Sequence, residues 1–264
     1  MNRLSNRKRA KILHLLVEGV SMRSISRVED VSIVTVAKLL KDAGEACRKH
    51  HNRTVRELPG RRHFQCDELW SFVYAKEKQA ASADPWDVAG TVWTWTALDS
   101  DSRMIVAYHA TQSRGVRSAT KILRDLKSRS KQMPDIAADG LESYAVAAKR
   151  VFGPRYSLTQ GKGDGTTSHV ERSNLTVRMG NRRYTRKTNG FSKTLARHKA
   201  LLHLQFTHYN FCRIHTTLRV TPAMEAGIDD TLRDLEWIVD LIDANTPKPK
   251  KPGPKLGSKN RKKA

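Results

Sequence analysis

Phe64-Gln65-Cys66-Asp67-Glu68-Leu69-Trp70-Ser71-Phe72-Val73 is the run on which the reading of the fold turns. It is apolar enough for an interior strand, yet two carboxylates stand at its centre. A charge within an apolar strand is costly unless it is paired or binds a cation. Successive side chains of a strand point to opposite faces. Asp67 and Glu68 therefore diverge, and the expectation is that one faces a site and the other solvent.

Outward from this run, Val88 to Leu98 alternates in the β manner around Val92, Trp93 and Trp95. The turn Asp99-Ser100-Asp101-Ser102 leads into a third strand, Met104 to Tyr108, which completes an antiparallel meander. Arg117 to Lys131 then reads as a helix through Ile122, Leu123 and Leu126. A short strand at Asp135 to Ala138, a helix from Glu142 to Val151 and a strand near Tyr156 to Leu158 follow. Three antiparallel strands and then alternating helix and strand define an α/β class, in the order of the ribonuclease-H-like fold. Several α/β folds share the second half, so the meander carries the discrimination. This domain is expected over residues 63–245, with a helical C-terminal part.

Upstream, Ile12, Leu13, Leu15, Leu16 and Val20 form a helical stripe that ends near Gly19. Ser21 can cap a second helix carrying Met22, Ile25 and Val28. After the turn at Glu29, Asp30 and Val31, Ser32 can cap a third helix carrying Val36, Leu39 and Leu40. This is an all-α helix-turn-helix plan over residues 1–50. In that plan Ser32, Ile33, Thr35 and Lys38 would meet base edges; the alternative is an ordinary trihelical cap. An arginine-rich linker with Pro59-Gly60 spans residues 51–62.

Charge points to the partner. The 264 residues carry 49 Lys+Arg against 26 Asp+Glu, a net +23. Residues 1–62 hold +9, 63–171 only +1, 172–245 +5, and the Pro/Gly-rich tail 246–264 +8. A near-neutral core flanked by basic segments suits a polyanion, nucleic acid first. The tail is expected to be disordered and able to grip DNA, with Lys251-Pro252-Gly253-Pro254-Lys255 loosely like a minor-groove hook. Three scattered cysteines point away from a disulfide framework and towards a reducing compartment. With neither a leader-like nor a membrane-length apolar run, a cytoplasmic protein without membrane contact is expected. Cys47-x-x-His50 and His63-x-x-Cys66 have zinc-like spacing, but Cys66 adjoins Asp67 in a strand, so no zinc site is assigned.

Two further carboxylates join Asp67. Asp139 stands just past a short strand, before Gly140, where strand ends deliver side chains to sites. Glu171 lies in a predicted helix, Ser168 to Arg178, and Arg178 falls on the same face two turns later. Three carboxylates from separate elements suit a pair of Mg²⁺ or Mn²⁺ ions, which prefer hard oxygen ligands and assist phosphodiester chemistry. Singly, each has a plainer reading as a cap or a surface ion pair. From Glu171 to Glu225 no acidic residue intervenes, while 11 Lys+Arg do. Arg182-Arg183-Tyr184-Thr185-Arg186-Lys187-Thr188 is expected to be a loop that grips a substrate backbone through Arg182, Arg183, Arg186 and Lys187.

Asp67-Glu68-Leu69-Trp70-Ser71-Phe72-Val73, the stretch Asp139-Gly140 to Tyr144, and Glu171-Arg172-Ser173-Asn174-Leu175-Thr176-Val177-Arg178 resemble the transposases of bacterial insertion sequences of the IS-one family. So do Arg186-Lys187-Thr188, Phe191-Ser192-Lys193, Tyr209-Asn210-Phe211, His215 and Thr221-Pro222-Ala223-Met224-Glu225. The resemblance covers about residues 63–230. It implies a DDE transposase with Asp67, Asp139 and Glu171 as metal ligands and Arg178 as a basic catalytic companion. It further implies binding of terminal inverted repeats by the head, metal-dependent 3′-end cleavage, and strand transfer into target DNA. Element ends and target are double-stranded DNA, and acting on two ends implies a homodimer or larger synaptic complex, at the bacterial nucleoid. Many relatives carry a four-cysteine zinc finger ahead of the helix-turn-helix, and this chain has none. A ribonuclease-H-like nuclease that cuts without joining, and a domesticated DNA-binding regulator, are the alternatives.

Overall fold

The computed structural model describes residues 3–83, 89–161 and 166–246. The head is three helices, α1 (Asn6–Val17), α2 (Met22–Val28) and α3 (Ile33–Thr54). Ser21 Oγ accepts from Ser24 N at 3.0 Å and Ser32 Oγ from Val34 N at 3.2 Å, so both serines cap as expected. α3 is longer than the apolar pattern suggested. The segment from His51, read as linker, remains helical to Thr54 because its inner face is buried: His51 lies in the interior, its Nε2 2.9 Å from the Val106 carbonyl.

β1 (His63–Val73) is the axis of the sheet. It pairs antiparallel with β2 (Gly90–Asp99), and β2 pairs antiparallel with β3 (Ile105–Thr111). The short α4 (Glu77–Ala83) lies between β1 and β2 in the chain. The second strand thus begins at Gly90, Val88 lying outside the described residues, and the third runs on to Thr111. After α5 (Val116–Arg129), β4 (Asp135–Ala138) joins the free edge of β1 in parallel. After α6 (Glu142–Phe152), β5 (Ser157–Gln160) joins β4 in parallel. The order β3-β2-β1-β4-β5, a mixed sheet with helical crossovers, is the ribonuclease-H-like arrangement.

Both faces of the sheet are covered, which is why β1 reads as a nearly unbroken apolar run. On one face Phe64, Cys66, Trp95 and Ala97 pack with Ile122, Leu123 and Leu126 of α5 and Ala147 and Ala148 of α6. On the other, Leu69, Val73 and Val92 share one core with the head and with helices α7 (Ser168–Gly180), α8 (Leu195–Thr207) and α10 (Leu235–Asn245). Ile12, Leu16, Leu40, Leu201, Leu204 and Ile238 all belong to it. At the closest crossing of α3 and α8, a Cβ placed on Gly44 would lie 2.6 Å from Ala200 Cα. Glycine in mid-helix costs about 1 kcal/mol relative to alanine, and here it lets two helices approach. Between α8 and the one-turn α9 (Pro222–Glu225) lies a π-helical turn, His208–Cys212. There the Asn210 amide accepts from Ile105 N at 3.0 Å and donates to Ile105 O at 2.9 Å, covering part of the free edge of β3. No helix among the described residues is long and apolar enough to cross a membrane. The tail beyond Thr246 lies outside the described residues.

Candidate active site and nucleic-acid surface

The site forms where β4 leaves the sheet. Register pairs Cys66 with Ala138 as the last partners of β1 and β4. The next residues, Asp67 and Asp139, therefore face one another across an edge no longer closed by backbone pairing. One ligand oxygen from each of Asp67, Glu68 and Asp139 lies within 4.8 Å of the others. Glu171, on α7, lines the same cavity of about 710 Å³ with Arg178, Arg186 and Lys187, but stands outside that tight group.

Asp67 is oriented from the α7 side. Its Oδ2 accepts from Asn174 Nδ2 at 2.8 Å, while Asn174 Oδ1 accepts from the Thr96 hydroxyl at 3.3 Å. The threonine thus fixes which way the amide points. Burial raises the Asp67 pKa, the Asn174 bond opposes that shift, and the charges of Asp139 and Glu171 add to it. Gln65, also on β1, accepts from His169 N at 2.8 Å and Val170 N at 3.1 Å. It thereby holds the first turn of α7 over the strand and presents Glu171 to the cavity. Glu171 is exposed at the rim, where Oε1 accepts from the Thr167 hydroxyl at 2.5 Å.

Glu68 corrects the expectation that one of the two carboxylates faces water. Its side chain is only 1 % accessible, because β1 lies between two layers. Oε1 accepts from the Tyr144 hydroxyl at 2.6 Å and Oε2 from Arg114 Nε at 2.9 Å. The Arg114 guanidinium also lies 3.5 Å from Asp139 Oδ2 and over the Trp93 ring at 4.6 Å. Burial nevertheless pushes the Glu68 carboxyl up to about 6, against the Tyr144 and Arg114 bonds. Asp139 is set by its own turn, Oδ1 accepting from Leu141 N at 3.1 Å, with Gln160 bonding the Asp139 carbonyl at 2.9 Å.

This donor set fits a divalent cation. Hard carboxylate oxygens converge, and burial first, with the neighbouring carboxylate charges adding to it, raises the pKa values of Asp67 and Glu68. A cation there would offset that cost of ionisation. Arg178 is half-buried, its pKa lowered by burial and by Arg186 and supported by Asp67; its Nε is buried with no partner among the described residues. A phosphate oxygen in the cavity is a chemically suitable acceptor.

The expected DNA contacts fall into separate places. Arg186 and Lys187 line the carboxylate cavity. Arg182, Arg183 and Lys187 line an adjoining groove of about 1410 Å³, whose far wall is the head around Arg23 and Ile33. Arg183 is half-buried, and burial lowers its pKa. Ser32 and Ile33 are exposed at the start of α3, and Thr35 is half-buried. Lys38 is exposed but ion-paired with Asp42 at 2.5 Å. Sequence reasoning missed Gln65, Arg114 and Trp93, which have no local pattern. Asn174 was within reach, three residues after Glu171 and so on the same helical face.

The sheet order and the acidic cleft together define a ribonuclease-H-like α/β protein. No family model matches the chain, and no curated protein does. Among solved structures, it is similar to a chain in the cryo-EM structure of the simian T-cell lymphotropic virus intasome in complex with PP2A regulatory subunit B56 gamma. That match has 14 % identity, a TM-score of 0.40, and covers 83 % of this chain and 72 % of the other.

Proposed function

We propose that this chain is a DNA transposase of the DDE type, which cleaves the 3′ ends of a mobile element and joins them to target DNA. The observation that carries the reading is the convergence of Asp67, Glu68 and Asp139, with Glu171 and Arg178 on the same cavity. Asp67, Asp139 and Glu171 would hold two Mg²⁺ or Mn²⁺ ions, which supply Lewis-acid activation of the attacking and leaving oxygens when bound. Glu68 stays behind them, fixed by Tyr144 and Arg114, and steadies Arg114 against Asp139. Arg178 binds a phosphate oxygen beside the reacting phosphorus. Arg182, Arg183, Arg186 and Lys187 hold the backbone of the substrate strand, and Ser32, Ile33, Thr35 and Lys38 read the terminal repeats. Residues 1–50 serve as the recognition head, 51–62 as its connection, 63–245 as the catalytic unit and 246–264 as a basic extension. Two ends must be processed together, so the working form is a dimer or larger.

The test is a cleavage and strand-transfer assay with Mg²⁺ on DNA carrying the element's own ends, comparing wild type with Asp139→Ala. Joined products that require metal and vanish in the variant support the reading. Cleavage without joining indicates a nuclease. DNA binding with no metal-dependent product in either protein indicates a regulator.

A further inference from the structure

A row of aromatic rings leads from the carboxylate cavity into the basic groove. Trp70 and Trp93 are cross-strand partners on β1 and β2, both half-exposed, and both line the carboxylate cavity. The Trp70 ring centroid is 5.9 Å from that of Phe72, and Phe72 is 5.1 Å from Phe191, each pair tilted by 39°. Tyr74, exposed and held at φ +63°, follows at the end of β1. Its backbone N donates to Ser192 O at 2.9 Å, which pins the loop carrying Phe191 and Lys193 beside it. Cations accompany the rings: Lys76 is 5.8 Å from Phe72, and Lys193 is 3.9 Å from Phe191 and 5.7 Å from Tyr74.

Rings that served only as core would be buried. Here Phe72 is buried and its neighbours on either side remain accessible. The groove that continues from the cavity is lined by Lys187, Lys193, Arg182 and Arg197 and has no carboxylate among its described lining residues. Accessible aromatics along a cationic groove are what a single nucleic-acid strand requires. Each unpaired base offers a face to stack on, while the backbone follows the positive charge. Paired bases present their faces only to one another, so a duplex gains nothing from such rings.

We propose that this track binds one unpaired DNA strand, with its bases against Trp70 and Tyr74 and its phosphates along Lys76, Lys187 and Lys193. Trp70 to Val73 spans about 10 Å of strand, and Tyr74 lies one residue beyond it, enough for a short stacked run. The proposal rests on the transposase reading and adds the state of its substrate: the strand that enters the cavity is already separated from its complement there.

The test uses the full chain in EDTA, so that no cleavage intervenes. Anisotropy measures the affinity of Trp70→Ala, Trp70→Phe and Tyr74→Ala for labelled oligo(dT) and for a duplex of equal length. Loss of one base stack is worth roughly 1–3 kcal/mol, or about 5- to 150-fold. Trp70→Ala and Tyr74→Ala should each weaken oligo(dT) binding by roughly tenfold while duplex affinity stays within about twofold, and Trp70→Phe should retain most of the affinity. Tyr74 is exposed, so its variant tests the track without disturbing the core. Unchanged oligo(dT) binding in both alanine variants, or equal losses on both forms of DNA, would overturn the track and leave the transposase reading standing. A wild-type chain that binds neither form overturns both.

Discussion

Replacing Glu68 by glutamine should stabilise the metal-free protein at neutral pH. The Glu68 carboxyl is raised from 4.5 to about 6, a value that already includes the Tyr144 and Arg114 bonds. Its folded-state pKa therefore exceeds its unfolded one. Between those values the native state holds a proton that the unfolded chain has released. The corresponding stability is complete below about pH 4.5 and is lost as pH rises through about 6. The displacement corresponds to about 2 kcal/mol set against the ionised form. Glutamine keeps the shape and both bonds: its amide oxygen can accept from Arg114, and the Tyr144 hydroxyl can turn to accept from the amide NH₂. Wild type and Glu68→Gln should then have nearly equal stability near pH 4.5. The variant should be more stable by up to about 2 kcal/mol at pH 7.5, roughly 4–8 °C in Tm for a chain of this size. Thermal unfolding followed by circular dichroism in EDTA at several pH values measures the difference, and titrating groups distant from Glu68 cancel between the two proteins. Adding Mg²⁺ should narrow the gap from the wild-type side, because a cation at the cluster favours the ionised form. A stability difference independent of pH from 4.5 to 7.5, or a variant destabilised at pH 7.5, would refute the reasoning.

Two further outcomes follow from particular contacts. Gly44→Ala should gain about 1 kcal/mol of helix propensity, yet its Cβ would sit 2.6–2.7 Å from Ala200 backbone atoms. Overpacking of about 1–3 kcal/mol should win, so the urea midpoint falls; a rise would mean that α3 and α8 do not approach so closely. Arg186 and Lys187 flank the carboxylate cavity. If each neutralises one phosphate, Arg186→Ala/Lys187→Ala should lower the slope of log affinity against log salt by nearly 2. An unchanged slope would remove them from the DNA path.

The positions of Asp67, Asp139, Glu171 and Arg178 were legible because each depends on short-range pattern: a strand's alternation, a strand's end, a helix's face. The two-fold burial of Glu68 was not, since a strand's sequence does not say how many layers will cover it. Its apolar neighbours Phe64, Leu69 and Phe72 hint at cover on both faces, against the expectation that one of the pair faces solvent.

By itself the sequence determined the local geometry of this protein. The meander, the α/β alternation and the serine caps at Ser21 and Ser32 all rest on neighbours within a few residues. Only the tertiary structure decided what meets at the site. Arg114 reaches Glu68 and Asp139, Gln65 anchors α7, Gly44 admits Ala200, and the basic loop joins the head along one groove. These partners lie tens to more than a hundred residues apart, and pairing at that range is set by which faces must be buried together, which no local pattern encodes.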